Sequence, residues 1–177
     1  MSSLTPDAAQ TPSSFAEEAA KLRQFSGAPQ EFWPTFLKLC GQVGGAARAV
    51  LIRKDNEDGR GKQLSEWSLP ETSAAGLALF RNALRSMADE CGTAGVSKRI
   101  LAQDAKPGAS IPAGVAVRLV LASTQEVCLV ALFLPNLQPQ ELDSIALRMQ
   151  LLADIPKSYQ ELGQNRQART DAEKLAI

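Results

Sequence analysis

The sequence contains no histidine, and this absence removes the acid–base and metal chemistry that proteins use most often. A Ser–His or Cys–His nucleophile pair, a histidine general base, the usual zinc ligand sets and a histidine-ligated haem all need an imidazole. We therefore expect no metal, no cofactor and no catalytic residue, so that the chain is not an enzyme.

The three cysteines, Cys40, Cys91 and Cys128, are the remaining candidates for covalent chemistry. A reactive thiolate needs solvent exposure and a positive group nearby. Cys40 and Cys91 instead fall on the apolar faces of predicted helices and Cys128 falls in an apolar strand, where thiols are inert. Their odd number and the lack of a CxxC motif are typical of a reducing compartment. A thiol-dependent redox enzyme is the least favoured hypothesis.

Two residues are candidates for binding a small molecule. Arg118 interrupts the apolar run 117–122, and a buried arginine is costly unless an acid or an anionic ligand pairs with it. Strand alternation would place it on one face with Val120 and Ala122. Trp67 could stack on a ligand ring or form the floor of a pocket. A surface or paired arginine and a core tryptophan are the alternatives.

Composition limits the partners of the chain. Lys+Arg and Asp+Glu both number 19, so the net charge is zero, which argues against nucleic-acid binding. No apolar run approaches the roughly 20 residues that span a bilayer, and the N-terminus lacks the basic start and apolar core of a secretory signal. We expect no direct membrane contact from this segment and a cytoplasmic location.

Apolar spacing predicts the helices. The first follows a capping box of Ser14 and Glu17 and runs to about Phe25. The second begins near Pro29 and ends where Gly44 or Gly45 takes a left-handed conformation. The third, capped by Thr72 or Ser73, has a buried stripe that ends at Gly92. The last starts at Pro139, restarts at Pro156 and has a buried face made of Leu142, Ile145, Met149 and Leu152.

The strands are predicted at 47–54, 63–69, 97–102, 117–122 and 127–134, with a loop at 103–114. The run 127–134 has no polar side chain apart from the thiol of Cys128, so it must lie in the centre of the sheet and be covered on both faces. Leaving it exposed would forfeit about 1.5–3 kcal/mol for each large apolar side chain.

The predicted fold is therefore α+β, with a central and mainly antiparallel sheet of five or six strands. The N- and C-terminal helices lie on one face of this sheet. The third helix and the 103–114 loop lie on the other face and cover a mostly apolar pocket.

This order of elements resembles the GAF domain family over about residues 30–160, with "FLKLCGQVGGAARAVLIRKD" as helix, turn and first strand and "VCLVALFLP" before a long helix. The resemblance implies a regulatory or sensory module that binds a small molecule or a partner and signals through its terminal helices. The Asn-Lys…Phe…Asp-Glu signature of cyclic-nucleotide-binding members is not recognisable, and a bilin site would need histidine. The implied organisation is a disordered N-terminus at 1–13, a GAF-like domain at 14–160 and a helical linker at 161–177.

The C-terminal segment "LRMQLLADIPKSYQELGQNRQARTDAEKLA" is similar to the link between paired GAF domains in bacterial haemolysin-D-like membrane-fusion proteins, also called periplasmic adaptors. This resemblance implies that the chain is a cytoplasmic N-terminal module, tethered to the inner membrane through a further C-terminal region.

Two functional hypotheses stand beside the thiol enzyme. The first is a non-catalytic sensory module whose terminal helices pair in a homodimer, and the second is a dimerisation or docking domain without a ligand. For the helix interface we predict a set of apolar residues on the first and last helices: Phe15, Leu22, Leu142, Ile145 and Met149.

Overall fold

The computed structural model of the chain describes residues 12–54, 60–70, 74–102, 111–123 and 126–176. In these residues the helices are α1 (Pro12–Arg23), α2 (Pro29–Gly44), α3 (Ala74–Ala94), α4 (Leu142–Leu152) and α5 (Ile155–Leu175). The strands are β1 (Arg48–Lys54), β2 (Gly61–Ser68), β3 (Val96–Ile100), β4 (Ile111–Arg118) and β5 (Val127–Leu137), and a 3-10 turn (Pro139–Glu141) precedes α4.

The five strands form one antiparallel sheet in the order β2-β1-β5-β4-β3, with β5 in the middle. Leu129 of β5 pairs with Ile52 of β1 on one side and with Arg118 of β4 on the other. The predicted α+β architecture and the central position of the apolar strand are both confirmed.

Helices cover both faces of β5, and alternate residues of the strand face the two covers. Val130, Leu132 and Leu134 join the core formed with α2 and α4, whereas Leu129 and Phe133 join the core beneath α3. All five side chains are buried. The absence of a polar face in this strand follows from this two-sided burial, because each face would otherwise expose apolar surface to water.

Two helix ends depend on glycines with left-handed backbone. Gly45, just after α2, has a φ of 66° and donates its N–H to Gln42, as predicted for the 44–45 pair. Gly95, just after α3, has a φ of 84°, and its N–H bonds to the carbonyl of Cys91. The predicted end of α3 at Gly92 was too early because Gly95 is the residue that takes the left-handed conformation after the helix.

The boundaries of β4 and β5 differ from the prediction. Strand β4 begins at Ile111 and ends at Arg118, so 111–114 is strand rather than loop, and 119–122 is not strand. Strand β5 continues past Pro135 to Leu137. The early start of β4 and the late end of β5 have one cause: the β4–β5 register skips between the pairs Ile111–Leu137 and Ala113–Leu134, and Pro112 and Pro135 lie in that irregularity. A proline at such a bulge removes no ladder hydrogen bond.

The start of α1 also differs from the prediction. The helix begins at Pro12, so Ser14 lies inside it and not at its N-cap, and Pro12 and Ser13 are helical rather than disordered. Proline suits the first helical position because its missing N–H would have no intrahelical partner. The predicted disorder of residues 1–11, the Thr72 or Ser73 cap and the 103–110 part of the loop lie outside the described residues.

The predicted interruption of the last helix before Pro156 is confirmed, because α4 ends at Leu152 and α5 begins at Ile155. Helix α5 then crosses the predicted linker boundary without interruption, and its side chains are exposed from Glu161 onward. Within the part of the chain that the structure describes, no helix has the length and apolarity that would let it cross a membrane.

Packing of Trp67 on α2 gives a test of the fold. A Cβ at Gly41 would lie 2.2 Å from Cζ3 of Trp67. We expect Gly41→Ala to lower the free energy of unfolding by about 1–3 kcal/mol in urea denaturation, because the helix and β2 must move apart.

Gly163→Ala is the matched control. It also replaces a helical glycine, but among the described residues no atom beyond the adjacent backbone of α5 lies within 4 Å of the new Cβ, so stability should stay the same or rise by up to about 1 kcal/mol. Trp67→Leu should rescue Gly41→Ala in the double variant. An unchanged stability of Gly41→Ala would contradict this packing.

Candidate functional site

A cleft of about 420 Å³ lies between α3 and the β1–β2 side of the sheet. Helix α3 is held over the sheet by Phe80, Met87 and Cys91, which are completely buried at steps of seven and four residues. The cleft opens on the side of α3 that faces the edge strand β2. Its lining combines apolar and charged side chains from the two layers: Ile52, Arg60, Gly61, Gln63, Arg81, Leu84, Arg85, Ala88 and Asp89.

A shift in the β1–β2 register turns Gln63 toward this cleft. Ala49 pairs with Trp67 and Leu51 pairs with Ser65, but Ile52 pairs with Gln63 because the register slips by one residue between Leu51 and Ile52. Gln63 therefore shares the α3 face with Ile52. Its amide donates to Glu66 over 3.2 Å, and Glu66 also accepts a hydrogen bond from Arg48.

The charge on the α3 side of the cleft is unbalanced. Arg81 and Arg85 are four residues apart on one helical face, and like charges at this spacing repel. Asp89, four residues after Arg85, pairs instead with Lys54 of β1, with 3.2 Å between Nζ and Oδ1. Among the described residues, neither arginine has an ion pair or a hydrogen bond. The described part of the chain thus supplies no counter-charge to these two guanidinium groups of the cleft.

Trp67 and Arg118, the two residues predicted from the sequence to bind a ligand, lie on opposite faces of the sheet. Trp67 is half-buried on the α2 face, with its ring against Gly41. Arg118 lies on the α3 face and is exposed at the end of β4. Neither lines the α3 cleft, and one small molecule cannot contact both through the sheet. Ligand binding by each stays a prediction.

Arg118 connects β4 to the end of α3. Its guanidinium Nη1 donates to the carbonyl of Gly92 over 3.2 Å, and its backbone N–H donates to Gly95 over 2.9 Å. The next residues bond to the last helices: the N–H of Val120 donates to Ala153, and the N–H of Ala122 donates to Oε1 of Gln160. The segment after β4 therefore bridges the C-terminal end of α3 and the α4–α5 junction.

The predicted interface residues are mostly inside the monomer. Leu22, Ile145 and Met149 are only 4%, 5% and 2% exposed and belong to the core against the sheet. A second copy cannot contact them without opening that core. Phe15 and Leu142 are partly buried against the same core. The apolar side chains that α4 does present to solvent are Leu147 and Leu151, at 63% and 73% exposure.

The three cysteines are free and buried. Burial raises the pKa of Cys91 to about 12, against the opposing effect of Arg118 and Lys54, and raises that of Cys128 to about 11. Burial also raises the pKa of Cys40 far above its ordinary value. None of the three lines the α3 cleft. The described residues contain no group of three or more His, Cys, Asp or Glu side chains that could hold a metal ion.

No protein-family model and no curated protein sequence matches the chain. Solved structures do match its fold. The GAF domain of Aquifex aeolicus NLH2 aligns with a TM-score of 0.52 at 9% identity, over 84% of this chain and 94% of that domain. The fold is GAF-like.

Two further neighbours have the same fold. The free methionine-R-sulfoxide reductase of Neisseria meningitidis aligns with a TM-score of 0.55 at 12% identity, over 87% of this chain and 92% of that one. The bacteriophytochrome RpBphP3 of R. palustris aligns with a TM-score of 0.58 at 12% identity, over 95% of this chain but 42% of that one. Sequence identities of 9–12% support a shared fold and nothing further about this chain.

Sequence reasoning missed the residues that line the cleft. Arg81 and Arg85 stand one position after the buried Phe80 and the partly buried Leu84 of α3, so they lie at the border of its buried stripe. Two arginines repeated at this border, with a spacing of four, were the available signal. Gln63 could not be assigned to the α3 face because its orientation depends on the register shift in β2.

Thiol reactivity tests whether the cysteines can act as nucleophiles. With pKa values of about 11 and 12 for Cys128 and Cys91, on the order of one thiol in a thousand or fewer ionises at pH 8. We expect no reaction of the folded protein with Ellman's reagent within an hour at pH 8. After unfolding in guanidinium, all three thiols should react. Rapid reaction of one thiol in the folded protein would contradict this assignment and favour the redox enzyme.

Proposed function

We propose that the domain is a non-catalytic sensory or regulatory module that binds a small molecule in the α3 cleft and responds through its terminal helices. The observation that supports this most is the cleft of about 420 Å³ between α3 and the sheet, in which the buried side chains of Ile52 and Ala88 lie beside the exposed arginines Arg81 and Arg85. This volume is in the range of small-molecule sites, and the mixture of apolar and polar lining is typical of them.

A route from the cleft to the terminal helices supports the response. A ligand that moves α3 would act on Gly92 and Gly95 at its C-terminal end, which are hydrogen-bonded to Arg118. Two residues further on, Val120 bonds to Ala153 between α4 and α5. A small shift of α3 therefore has a continuous covalent and hydrogen-bonded path to the start of α5.

The start of α5 is held by aromatic contacts, and this helix is the element that would transmit the response to ligand binding. The ring of Tyr159 stacks on Phe32 of α2 with centroids 3.9 Å apart, and its hydroxyl donates to the carbonyl of Gly27 over 2.8 Å. Further along the helix, Arg166 donates to the carbonyl of Ser26 over 2.8 Å. Because α4 and α5 are separate helices, α5 can change direction at residues 153–154 without a break in its own hydrogen bonds.

For the partner we propose a second copy of the chain, paired through α4. Leu147 and Leu151 are four residues apart, so they lie on the same face of α4 and form an apolar patch there. A twofold pairing would let each patch cover the other. Of the helices in the predicted interface, α4 is retained and α1 is not, and the residues that carry the contact become these two exposed leucines.

The rivals are a ligand-free dimerisation domain and a thiol enzyme. An open cleft in which Arg81 and Arg85 have no acidic partner among the described residues favours ligand binding over a domain with a filled core. One structural neighbour is a reductase, which favours the thiol-enzyme hypothesis. The buried thiols of this chain, with their raised pKa values, disfavour that hypothesis. Unpaired cysteines also support a cytoplasmic location. The origin in a haemolysin-D-like membrane-fusion protein remains part of the proposal and is supported by the resemblance of residues 147–176.

A tryptophan in the cleft tests the ligand site. Gln63→Trp should fill the cavity from the β2 side, so it should abolish the thermal stabilisation given by any hit from a panel of small carboxylates, phosphates, amino acids and nucleosides. Lys62→Trp is the matched control, because the same substitution one residue earlier points to the opposite face. A hit that stabilises the Gln63→Trp protein as well as wild type would place the site elsewhere, and a panel without hits would remove the sensing function.

Introducing charge on α4 tests the dimer. The double variant Leu147→Glu/Leu151→Glu should be a monomer by light scattering and should still be folded by circular dichroism, because both side chains are exposed in the single chain. Leu175→Glu, at an exposed leucine of α5, should leave the dimer intact. Met149→Glu should unfold the protein, because a carboxylate would be buried in the core. A wild-type monomer at high concentration, or a dimer that survives the double variant, would refute pairing through α4.

A further inference from the structure

We infer that the ligand of the α3 cleft is a small organic anion, whose carboxylate or phosphate is bound by Arg81 and Arg85. This inference rests on the proposed function, since it names the chemical class of the ligand for the same cleft. Both guanidinium groups line the cavity, and neither has an acidic partner in the described residues. Oxyanions are the ligands that arginine binds best, because its planar N–H groups match two oxygens at once.

The acidic residue that lines the cleft does not neutralise this pair. Asp89 has the spacing of a helical ion pair with Arg85, but its carboxylate is 3.2 Å from Nζ of Lys54. Lys54 therefore takes the negative charge that α3 itself could have supplied to Arg85. The repulsion between Arg81 and Arg85 is then left for a bound anion to relieve.

The rest of the lining defines the other end of the ligand. Ile52, Leu84 and Ala88 provide apolar surface beside the arginines, and Gln63 provides an amide at the β2 edge. Ile52 is 6% exposed and Ala88 is 5% exposed, so they form the floor at the inner end of the cleft. The arginines lie at the exposed rim. A short amphiphilic anion, with its apolar body inside and its charged group at the rim, matches this gradient.

The test uses hexanoate, hexyl phosphate and inorganic phosphate as anionic probes, with hexanol and hexylammonium as the neutral and cationic matches. Binding is measured from amide chemical shifts of the full chain at constant ionic strength. We expect hexanoate and hexyl phosphate to shift the amides of Gly61, Gln63, Leu84 and Ala88 and to bind about tenfold more tightly than hexanol. Hexylammonium should not bind. The response to inorganic phosphate tells whether the charged group suffices without an apolar body.

Arg81→Gln/Arg85→Gln should weaken both organic anions by about tenfold or more and leave hexanol unchanged. Arg148→Gln is the matched control, since Arg148 is an exposed arginine on α4, across the sheet from α3. The affinity of this variant for both organic anions should equal that of wild type. Equal affinity of hexanol and hexanoate, no binding of either organic anion, or full affinity in the double variant would each overturn the anionic ligand. A neutral compound that binds in the cleft would still satisfy the proposed function, so the two failures are distinguishable.

The sequence between β1 and β2 contains three acidic residues, Asp55, Glu57 and Asp58. A variant with Asp55→Asn, Glu57→Gln and Asp58→Asn tests whether these carboxylates compete with an anionic ligand for the two arginines. We expect this variant to bind hexanoate as tightly as wild type or more tightly. If hexanoate binds only after these three acids are neutralised, the arginines are satisfied from within the chain and the inference is overturned.

Discussion

Strand β5 can bury both of its faces only if helices cover the sheet on each side, and this requirement determines where every other element lies. Val130 and Leu132 need the α2–α4 layer, while Leu129 and Phe133 need α3. Each large side chain that lost its cover would forfeit about 1.5–3 kcal/mol, so displacement of either layer would consume much of the stability of a domain of this size. The flanking strands β1 and β4 follow, because a strand in the middle must be paired on both edges.

The two covers have different consequences for function. The α2–α4 layer packs closely enough that Gly41 has no room for a Cβ against Trp67. Helix α3 instead buries one stripe and leaves a cleft beside it toward β2, where Arg81 and Arg85 face solvent. The end of α3 is bonded to Arg118, and the residues that follow Arg118 are bonded to the α4–α5 junction. One face thus has a closely packed contact at Trp67, and the other has a cleft whose helix is hydrogen-bonded, through the segment after β4, to the α4–α5 junction.

The sequence predicts what depends on local pattern and misses what depends on pairing partners. The central strand was predictable because its lack of a polar face has one explanation, and the stripe through Phe80, Met87 and Cys91 identified α3. The ends of β4 and β5 were not, since Pro112 and Pro135 are tolerated only because the ladder skips where they meet. Periodicity likewise shows that Ile145 and Met149 share an apolar face, but it cannot tell a core from a dimer interface. Arg81 and Arg85 look like ordinary surface arginines until β2 is placed opposite them.

Amide hydrogen exchange resolved by residue tests most directly whether one face of the sheet is closed while the other can open. If it is, the amides of 128–134 exchange only through global unfolding, with protection equal to the free energy of unfolding measured in urea. The amides of β2 and of the first half of α3 exchange through smaller openings and with lower protection. Protection in β2 and α3 equal to that of β5 would contradict a face that opens, and faster exchange in β5 would contradict its two-sided burial.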